Sequence, residues 1–425
     1  MKVGYLMTVF PNQAHLWYWR EIQCMRQWGV PLQSYATRPP PPADRAKHAW
    51  AEGAAAETTY LWPMGKLAVL GYLLANFFRS PIGFVRCVWL GLTINVDSTQ
   101  RPRWKHTLPL VILACKMASL VRKDGLTHIH SHTAAKGAII CMMVNRLTGI
   151  KWSMVVNAHI DWWGGAMIQK FKEAGHTFFV TQWMVDEMVR DYPMIPRDKY
   201  SLGRVGVDCK KWQRSATPKA ENAVPQVIAV GRLVTSKGHH LVTQAMRILK
   251  DRGLQAHFKI GGEGPERPRL EALIKELDVA DRVELLGNLS EERYLAEMDK
   301  ADIFILASNE EPMGVVYMEA QAMEVPTIGT NRGGPLELIK DGVTGMLIPP
   351  QNPEAIADAL AKLIADPDLR QRMGKAGRQN ALENFDSRIW AARVYKHIVG
   401  HEPPAEVDAT VPVETAPVQR EPVGV

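Results

Sequence analysis

Hydrophobic positions fall into short unbroken runs. Each is followed by a loop rich in glycine or polar residues and then by a stretch with apolar residues at helical spacing. Unbroken apolar runs mark strands buried on both faces, as in parallel sheets. The first series opens with Lys2 to Val9, continues through Val30 to Tyr35, Thr127 to His132, Trp152 to Ala158 and Phe178 to Thr181, and closes with Tyr200 to Val207. Helices are predicted from Leu16 to Trp28, from Ala134, and from Gln182 to Asp191. A polar, proline-punctuated stretch, Asp208 to Pro225, follows as a linker, and the pattern restarts.

The second series runs through Gln226 to Gly231, His257 to Ile260, Val283 to Leu286, Ile303 to Ala307, Thr327 to Gly329 and Met346 to Ile348. Between them, Leu270, Leu273, Ile274 and Leu277 have the spacing of a helix face, and Asn352 with Pro353 starts another helix. A last helix is predicted from Leu382 to Ile398. The expected organisation is therefore an α/β domain at 1–207, a linker at 208–225, a second α/β domain at 226–385, a helix at 386–400 crossing back to the first domain, and a disordered tail at 401–425.

Met64 to Ile94 is the most apolar region, but Arg79, Pro81 and Arg86 interrupt it. No segment reaches the ~20 uninterrupted apolar residues of a membrane span. Core helices are the favoured reading, with an interfacial membrane helix as the competitor. The competitor is kept by the cations and tryptophans around the stretch: Lys66, Arg79, Arg86, Trp89, Arg101, Arg103, Trp104 and Lys105.

The 425 residues, 46% hydrophobic and 22% charged, suffice for two domains with substantial cores. The net charge of +7 is unevenly held: Met1 to Val205 carries 24 Lys and Arg against 12 Asp and Glu, the remainder 27 against 32. A basic first half implies an acidic partner: an anionic membrane surface, a phosphorylated acceptor or nucleic acid. No nucleic-acid-reading module is recognisable, so no nucleic-acid partner is expected. Five scattered cysteines without CxxC or zinc spacing point to a reducing cytosol and no structural metal. MKVGYLMTVFPNQ has no long apolar core of a secretion signal, so a cytoplasmic location is expected, with a peripheral position on the inner face of the membrane as an extension.

Candidate chemistry centres on EPMGVVYME, Glu311 to Glu319. A helix over Gly314 to Met323 would be apolar nearly all round and hence buried, which leaves Glu319 needing partners. Eight residues at a rise of about 1.5 Å set Glu311 and Glu319 roughly 12 Å apart along the axis, near the reach of a diphosphate linker. The amides of Met313, Gly314, Val315 and Val316 lie between them at a helix N-terminus, where an anion is favoured. Hydroxyl, phosphate and hydroxyl in sequence suit a nucleotide sugar, although either acid alone would pass for a helix-dipole partner or an internal ion pair. Arg232 and Lys237, at the end of the strand Gln226 to Gly231, suit a pyrophosphate. The glycines Gly261, Gly262 and Gly264, and later Gly333 and Gly334, permit close backbone approach. In the first half, His130, His132 and His159 stand at strand ends, with Asp161 just beyond and Asn12 and Gln13 in the FPNQ loop. A metal on the histidines is the weaker reading; a polar acceptor cleft is preferred, with no metal. DPD at Asp366 to Asp368 falls between surface helices and is given little weight.

VGRLVTSKG, IGGEGP, the two glutamates seven residues apart, GTNRGGPLELIKDGVTG and LIPP occur in the order found in glycosyltransferase family four, and the second half resembles that family closely. The likeness extends weakly over the first half through the FP loop with REI, HIHSH and NAHID, covering about Met1 to Gly400. The resemblance implies a GT-B fold, two Rossmann-like domains facing across an interdomain cleft, and retaining, metal-independent hexosyl transfer from a nucleotide diphosphate sugar to a hydroxyl. The biosynthesis of bacterial polysaccharide or glycolipid is the expected setting. UDP is the commonest donor base of the family, and no cofactor is implied. By the same likeness Arg232 and Lys237 hold the diphosphate, Glu319 the ribose and Glu311 the sugar. The Gly314 to Val316 amides hold phosphate, Gly262 and Met313 line the donor site, and His159 is the cleft histidine. A glycan or lipid-linked acceptor would meet Asn12, Gln13, His132, His159 and Asp161. Met313 stands where the family has an aromatic, and AHLW where relatives have SETF. An epimerase on the same fold, a phosphorylase, or a non-catalytic nucleotide-binding scaffold of a polysaccharide complex are the competing functions.

Overall fold

The computed structural model describes residues 1–12, 15–41, 49–96, 103–215 and 222–404. Gln13, Ala14, Arg101, part of the expected linker and the tail from 405 onward lie outside the described residues. Contacts divide the chain into two units: Met1–Val180 with Met184–Gly203 and the segment from Ala391, and Arg204–Trp390 with Thr181–Trp183.

The first unit contains β1 (Val3–Val9), α1 (Leu16–Gln27), β2 (Leu32–Arg38), α2 (Ala49–Glu57), β3 (Thr58–Tyr60), α3 (Lys66–Arg79), α4 (Pro81–Thr93), α5 (Arg103–Asp124), β4 (His128–Ser131), α6 (Lys136–Thr148), β5 (Lys151–Val156), α7 (Met167–Glu173), β6 (His176–Phe179), α8 (Gln182–Asp191) and β7 (Tyr200–Leu202). All seven strands are parallel, in the order β3-β2-β1-β4-β5-β6-β7. The chain winds to one side of β1 and then restarts at β4 on the other. The reversal between β1 and β4 opens a crevice at their carboxyl ends, where such sheets bind ligands.

Three expectations shift here. The second strand begins at Leu32 rather than Val30, because Gly29, at φ +76°, turns the chain first. The helix expected from Ala134 starts at Lys136. The core helices expected over Met64 to Ile94 do form as α3 and α4, but α3 is not core: its one fully buried side chain is the polar Asn76. Asn76 Nδ2 donates to the Cys115 carbonyl of α5 (2.9 Å), and its Oδ1 accepts from Arg122 (2.7 Å). An all-round apolar pattern does not reveal which face a neighbour will cover, and here a polar contact chose it.

The second unit contains β8 (Gln226–Val230), α9 (His239–Asp251), β9 (His257–Gly261), α10 (Arg267–Glu276), β10 (Val283–Gly287), α11 (Glu291–Lys300), β11 (Ile303–Leu306), α12 (Val315–Ala322), β12 (Thr327–Thr330), α13 (Pro335–Leu338), β13 (Gly345–Ile348), α14 (Pro353–Ala365), α15 (Pro367–Asn384) and the start of α16 (Ser387–Val399). Its six strands are also all parallel, ordered β10-β9-β8-β11-β12-β13, with the reversal between β8 and β11. Buried Val242, Ala245, Met246 and Leu249 give α9 the i, i+3, i+4, i+7 face that seals one side of the sheet. Asn352 caps α14 by accepting from the Ala355 amide (3.0 Å). Asp366 caps α15 by accepting from Leu369 (2.8 Å), which gives DPD a structural role.

The single helix expected from Leu382 to Ile398 is broken at Phe385 and Asp386. The Val207 amide donates to the Phe385 carbonyl and the Val207 carbonyl accepts from the Ser387 amide, both at 2.9 Å, diverting backbone groups that a continuous helix would need. From Ala391 onward α16 belongs to the first unit, where His397 stacks on His176 (4.0 Å) and Tyr395 meets Trp28 edge-on. All five cysteines are free and buried, and burial pushes the Cys87, Cys115 and Cys209 thiols up to about 12.

The first sheet buries imidazoles in neutral form. Ser153 Oγ lies between His128 Nε2 (2.8 Å) and His130 Nδ1 (2.7 Å). Burial, with the charge of His397 next, lowers His128 to about 4, and the same two causes lower His176 to about 4. Unfolded, these rings bind protons near pH 6.5, whereas the folded chain resists them down to about 4. The folded form is therefore favoured fully above about pH 6.5 and loses stability as the pH falls toward about 4. We expect the thermal midpoint, followed by circular dichroism, to fall steadily over that interval; a flat profile would contradict neutral burial.

Candidate active site

The carboxyl ends of β8 and β11 flank the reversal of the second sheet. After β8 the chain makes a turn at Thr235–Lys237 that closes on Gly238 at φ +70°, and α9 begins. A Cβ at Gly238 would lie 2.0 Å from the Ala307 carbonyl, so the β8 loop rests directly on the end of β11. Likewise Gly262, at φ +141°, would place a Cβ 1.9 Å from the Gly231 carbonyl, which fixes the β9 loop against the β8 loop. The loop after β12 joins through the Gly334 amide, which donates to the Glu311 carbonyl (2.7 Å). Four strand-end loops thus meet on backbone contacts that admit no side chain.

Within this frame Lys237 Nζ lies 2.5 Å from Glu311 Oε2. Ser308 Oγ donates to the same oxygen (3.2 Å), and Thr330 Oγ1 donates to the Ser308 carbonyl (2.8 Å). Glu311 is buried and Lys237 half-buried, so the pair is only weakly screened. Burial, with the Lys237 charge next, lowers His239 to about 4. The Tyr317 hydroxyl, raised well above its usual range by burial and then by Glu311, donates to the Leu306 carbonyl (2.6 Å).

Gly314, at φ +88°, opens α12, and among the described residues the amides of Gly314, Val315 and Val316 make no backbone hydrogen bond. They stand one turn from Glu311, at the positive end of the helix. Met313 is buried beneath this turn. Glu319, in the middle of α12, is buried and accepts from the Tyr294 hydroxyl of α11 (3.1 Å). Arg232 is exposed on the β8 loop and forms no ion pair among the described residues. Lys237, Glu311, Met313 and Gly314 therefore arise from the two loops beside the reversal, and Val315, Val316 and Glu319 from α12 that follows, while Gly262 abuts the β8 loop and Arg232 reaches outward from it.

In the first unit Asn12, His132, His159 and Asp161 all follow carboxyl ends of adjacent strands: β1, β4 and β5. The Asn12 carbonyl accepts from the His15 amide (2.9 Å) at the head of α1. His159 leads the short turn Ile160–Trp163, half-buried with its ring against Trp162 (5.1 Å), and Asp161 is exposed. His132 is fully buried, its ring 4.3 Å from that of Tyr18. His132 Nε2 and His130 Nε2 lie 3.4 and 3.8 Å from Glu21 Oε1, which also accepts from the Tyr5 hydroxyl (2.8 Å). Glu21, His130 and His132 have ligand atoms within 4.8 Å of one another and could hold a metal ion, so the partner of the two strand-end histidines is Glu21 of α1 rather than His159.

Sequence reasoning missed four partners. Ser308 was within sight, three residues before Glu311 at a strand end. Thr330, Tyr294 and Glu21 come from other elements, and nothing local marks them.

Two parallel sheets, each reversing beside its first strand, with a helix start and a Lys–Glu pair at the second reversal, are the double-Rossmann architecture of the GT-B fold. Residues 211–380 match the family model of "Glycosyl transferases group 1". The chain is 36% identical over 151 residues to alpha-D-kanosaminyltransferase of Streptomyces kanamyceticus, covering 36% of this chain and 39% of that one. It is 32% identical over 183 residues to the GDP-mannose-dependent alpha-(1-6)-phosphatidylinositol monomannoside mannosyltransferase of Mycolicibacterium smegmatis, covering 41% and 48%. The chain thus spans less than half the length of these two relatives. Among solved structures, Anabaena Alr3699/HepE in complex with UDP superposes with a TM-score of 0.70 at 14% identity, over 94% of this chain and all of that one, a likeness of fold.

Gly238 has both a left-handed backbone and a carbonyl in place of a Cβ. Gly238→Ala should lower stability by roughly 1–3 kcal/mol, read from chemical denaturation, and weaken nucleotide binding. An alanine variant as stable as the wild type would show that the β8 loop does not rest on β11.

Proposed function

We propose that the chain is a retaining, metal-independent glycosyltransferase that moves a hexosyl unit from a nucleotide diphosphate sugar to a hydroxyl of a glycan or lipid-linked acceptor. The observation that carries this reading is the Lys237–Glu311 pair beside the unbonded amides of Gly314, Val315 and Val316 at the sheet reversal. A cation, a helix start and two buried carboxylates in one place suit a ligand with a charged centre and hydroxyls at both ends. The two relatives matched are named as sugar transferases, which supports the same reading.

In this reading the diphosphate sits on the amides at the head of α12, with Lys237 and the outward-reaching Arg232 answering its charge. As the bond from the anomeric carbon to phosphate breaks, negative charge grows on the leaving oxygen. Cations already in place stabilise that state more than the ground state. Glu311 accepts from sugar hydroxyls and orients Lys237. Glu319, already steadied by Tyr294, accepts from the ribose. His159 and Asp161 serve the acceptor side, and the hydroxyl attacks from the face the diphosphate leaves, without a protein nucleophile. UDP is the donor base put forward first. Work in the cytoplasm, at the inner face of the membrane, fits five free thiols and a basic first half.

Lys237→Ala and Glu311→Ala should retain the far-ultraviolet spectrum yet lose most transfer, on the order of a hundredfold or more in kcat/KM, as expected for groups acting on developing charge. Near wild-type turnover in both would remove the assigned site. Transfer should also persist in excess EDTA. Strict dependence on a divalent ion would refute metal independence and shift attention to the Glu21, His130, His132 group.

A further inference from the structure

On α3, Leu67, Leu70, Leu74 and Phe78 recur three to four residues apart along one face, and all are exposed, Leu67 at 86% and Phe78 at 76%. On α4 the same holds for Ile82, Val85, Trp89 and Leu92, with Ile82 at 69% and Trp89 at 66%. A helix on a protein in water turns such a face inward. Here the inward side holds Asn76 with half-buried Val69, Tyr72 and Leu73, and the bonds of Asn76 to Cys115 and Arg122 fix the rotation of α3 on α5. A contiguous apolar surface of this kind marks an interaction site.

Charge identifies the partner. Between Glu57 and Asp124 the sequence contains one acid, Asp97, whereas Lys66, Arg79, Arg86 and Lys105 are exposed cations around the apolar face. Lys66 and Arg79 are the first and last residues of α3, placed so that their stems can lie along apolar surface while their heads reach outward. Trp62 and Trp104 are also exposed at the margin, with the Lys105 ammonium 5.5 Å from the Trp104 ring centre. Cations beside tryptophans are what a lipid headgroup layer selects. A second copy of the chain is the wrong occupant, because a two-fold contact would press these cations against their equivalents, and the acid beside Arg86, Glu173, is already paired with Arg146 (2.6 Å).

Length decides the mode. The 14 residues of α3 and the 13 of α4 extend about 21 and 20 Å, short of the ~30 Å of a hydrocarbon core. No helix among the described residues is long and apolar enough to cross a membrane. We infer that α3 and α4 lie in the surface of an anionic bilayer, with their apolar faces among the acyl chains and their cations at the headgroups. This deepens the membrane placement proposed above and makes no use of the sugar site.

The test is flotation of the full chain with vesicles of phosphatidylethanolamine and phosphatidylglycerol, against vesicles of phosphatidylcholine alone. Wild type should float with the anionic vesicles and be released by high salt only in part, since the apolar contact is not screened. Leu74→Glu/Phe78→Glu/Val85→Glu alters exposed positions only, so it should keep the circular dichroism and UDP thermal shift of the wild type while losing flotation. Arg79→Glu/Arg86→Glu should lose the preference for anionic lipid. On vesicle addition Trp fluorescence should shift to the blue, less so in Trp89→Phe. Absence of flotation at low salt, or flotation of the triple variant equal to wild type, would overturn the inference. So would a dimer by light scattering that the triple variant splits, without vesicle binding. Vesicle binding without sugar transfer would sink the transferase proposal alone, and transfer to a soluble acceptor without vesicle binding would sink this one alone.

Discussion

A buried carboxylate must be answered, and the second unit is arranged so that Glu311 is answered by Lys237. The two residues are 74 apart in sequence and meet only because β8 and β11 are neighbours in the sheet while their following loops turn back over its edge. Burial makes the attraction between them strong and the loss of either partner costly. The same weak screening makes the place receptive to an anion, since Lys237 and the amides of α12 keep their charge and dipoles in surroundings with little competing water. What holds the loop in place and what would receive a diphosphate are one set of groups.

That arrangement depends on glycines more than on side chains. Gly238 lets the β8 loop rest on a β11 carbonyl, and Gly262 lets the β9 loop rest on a β8 carbonyl, so the groups that matter stand on backbone locked to backbone. A side chain at either point would displace the β8 loop that carries Lys237 and so break its contact with Glu311. The two reversals, at β1/β4 and β8/β11, repeat this design in outline. Yet the first is filled differently, with neutral imidazoles, Tyr5 and Tyr18 around Glu21.

Much of this was legible along the chain, because parallel strands announce themselves as unbroken apolar runs and the loops after them carry the polar residues that matter. Arg232, Lys237, Glu311 and Glu319 could be picked out because each sits at a strand end or alone in an apolar helix. Their pairing could not. Nothing local in TSKG or NEEP says that Lys237 will reach Glu311, since that depends on strand order, which periodicity does not encode. Tyr294 and Glu21 were invisible for the same reason. The broken last helix was hidden because Phe385 and Asp386 are ordinary in a helix; the break comes from Val207, far off in sequence, drawing on their backbone. The largest misjudgement, taking the α3 part of Met64 to Ile94 for core, arose because hydrophobicity says that a surface will be covered and not by what.

Asn76 settles that last point in physical terms. If α3 turned by half a revolution, Leu67, Leu70, Leu74 and Phe78 would leave water, each gaining roughly 1.5–3 kcal/mol by ordinary burial. In exchange Val69, Tyr72 and Leu73, half-buried on the same face as Asn76, would be exposed, and Asn76 would give up hydrogen bonds to Cys115 and Arg122 worth about 1 to 3 kcal/mol apiece. The observed rotation keeps one face packed and still leaves a second apolar face in water. Its remaining cost is removed when that outward face is covered by something other than this protein, and a partner that accepts both apolar side chains and a rim of cations fits that face. The polar contact beneath the helix and the apolar face above it are then two halves of one specification: the first fixes which side points out, and the second states what must lie there.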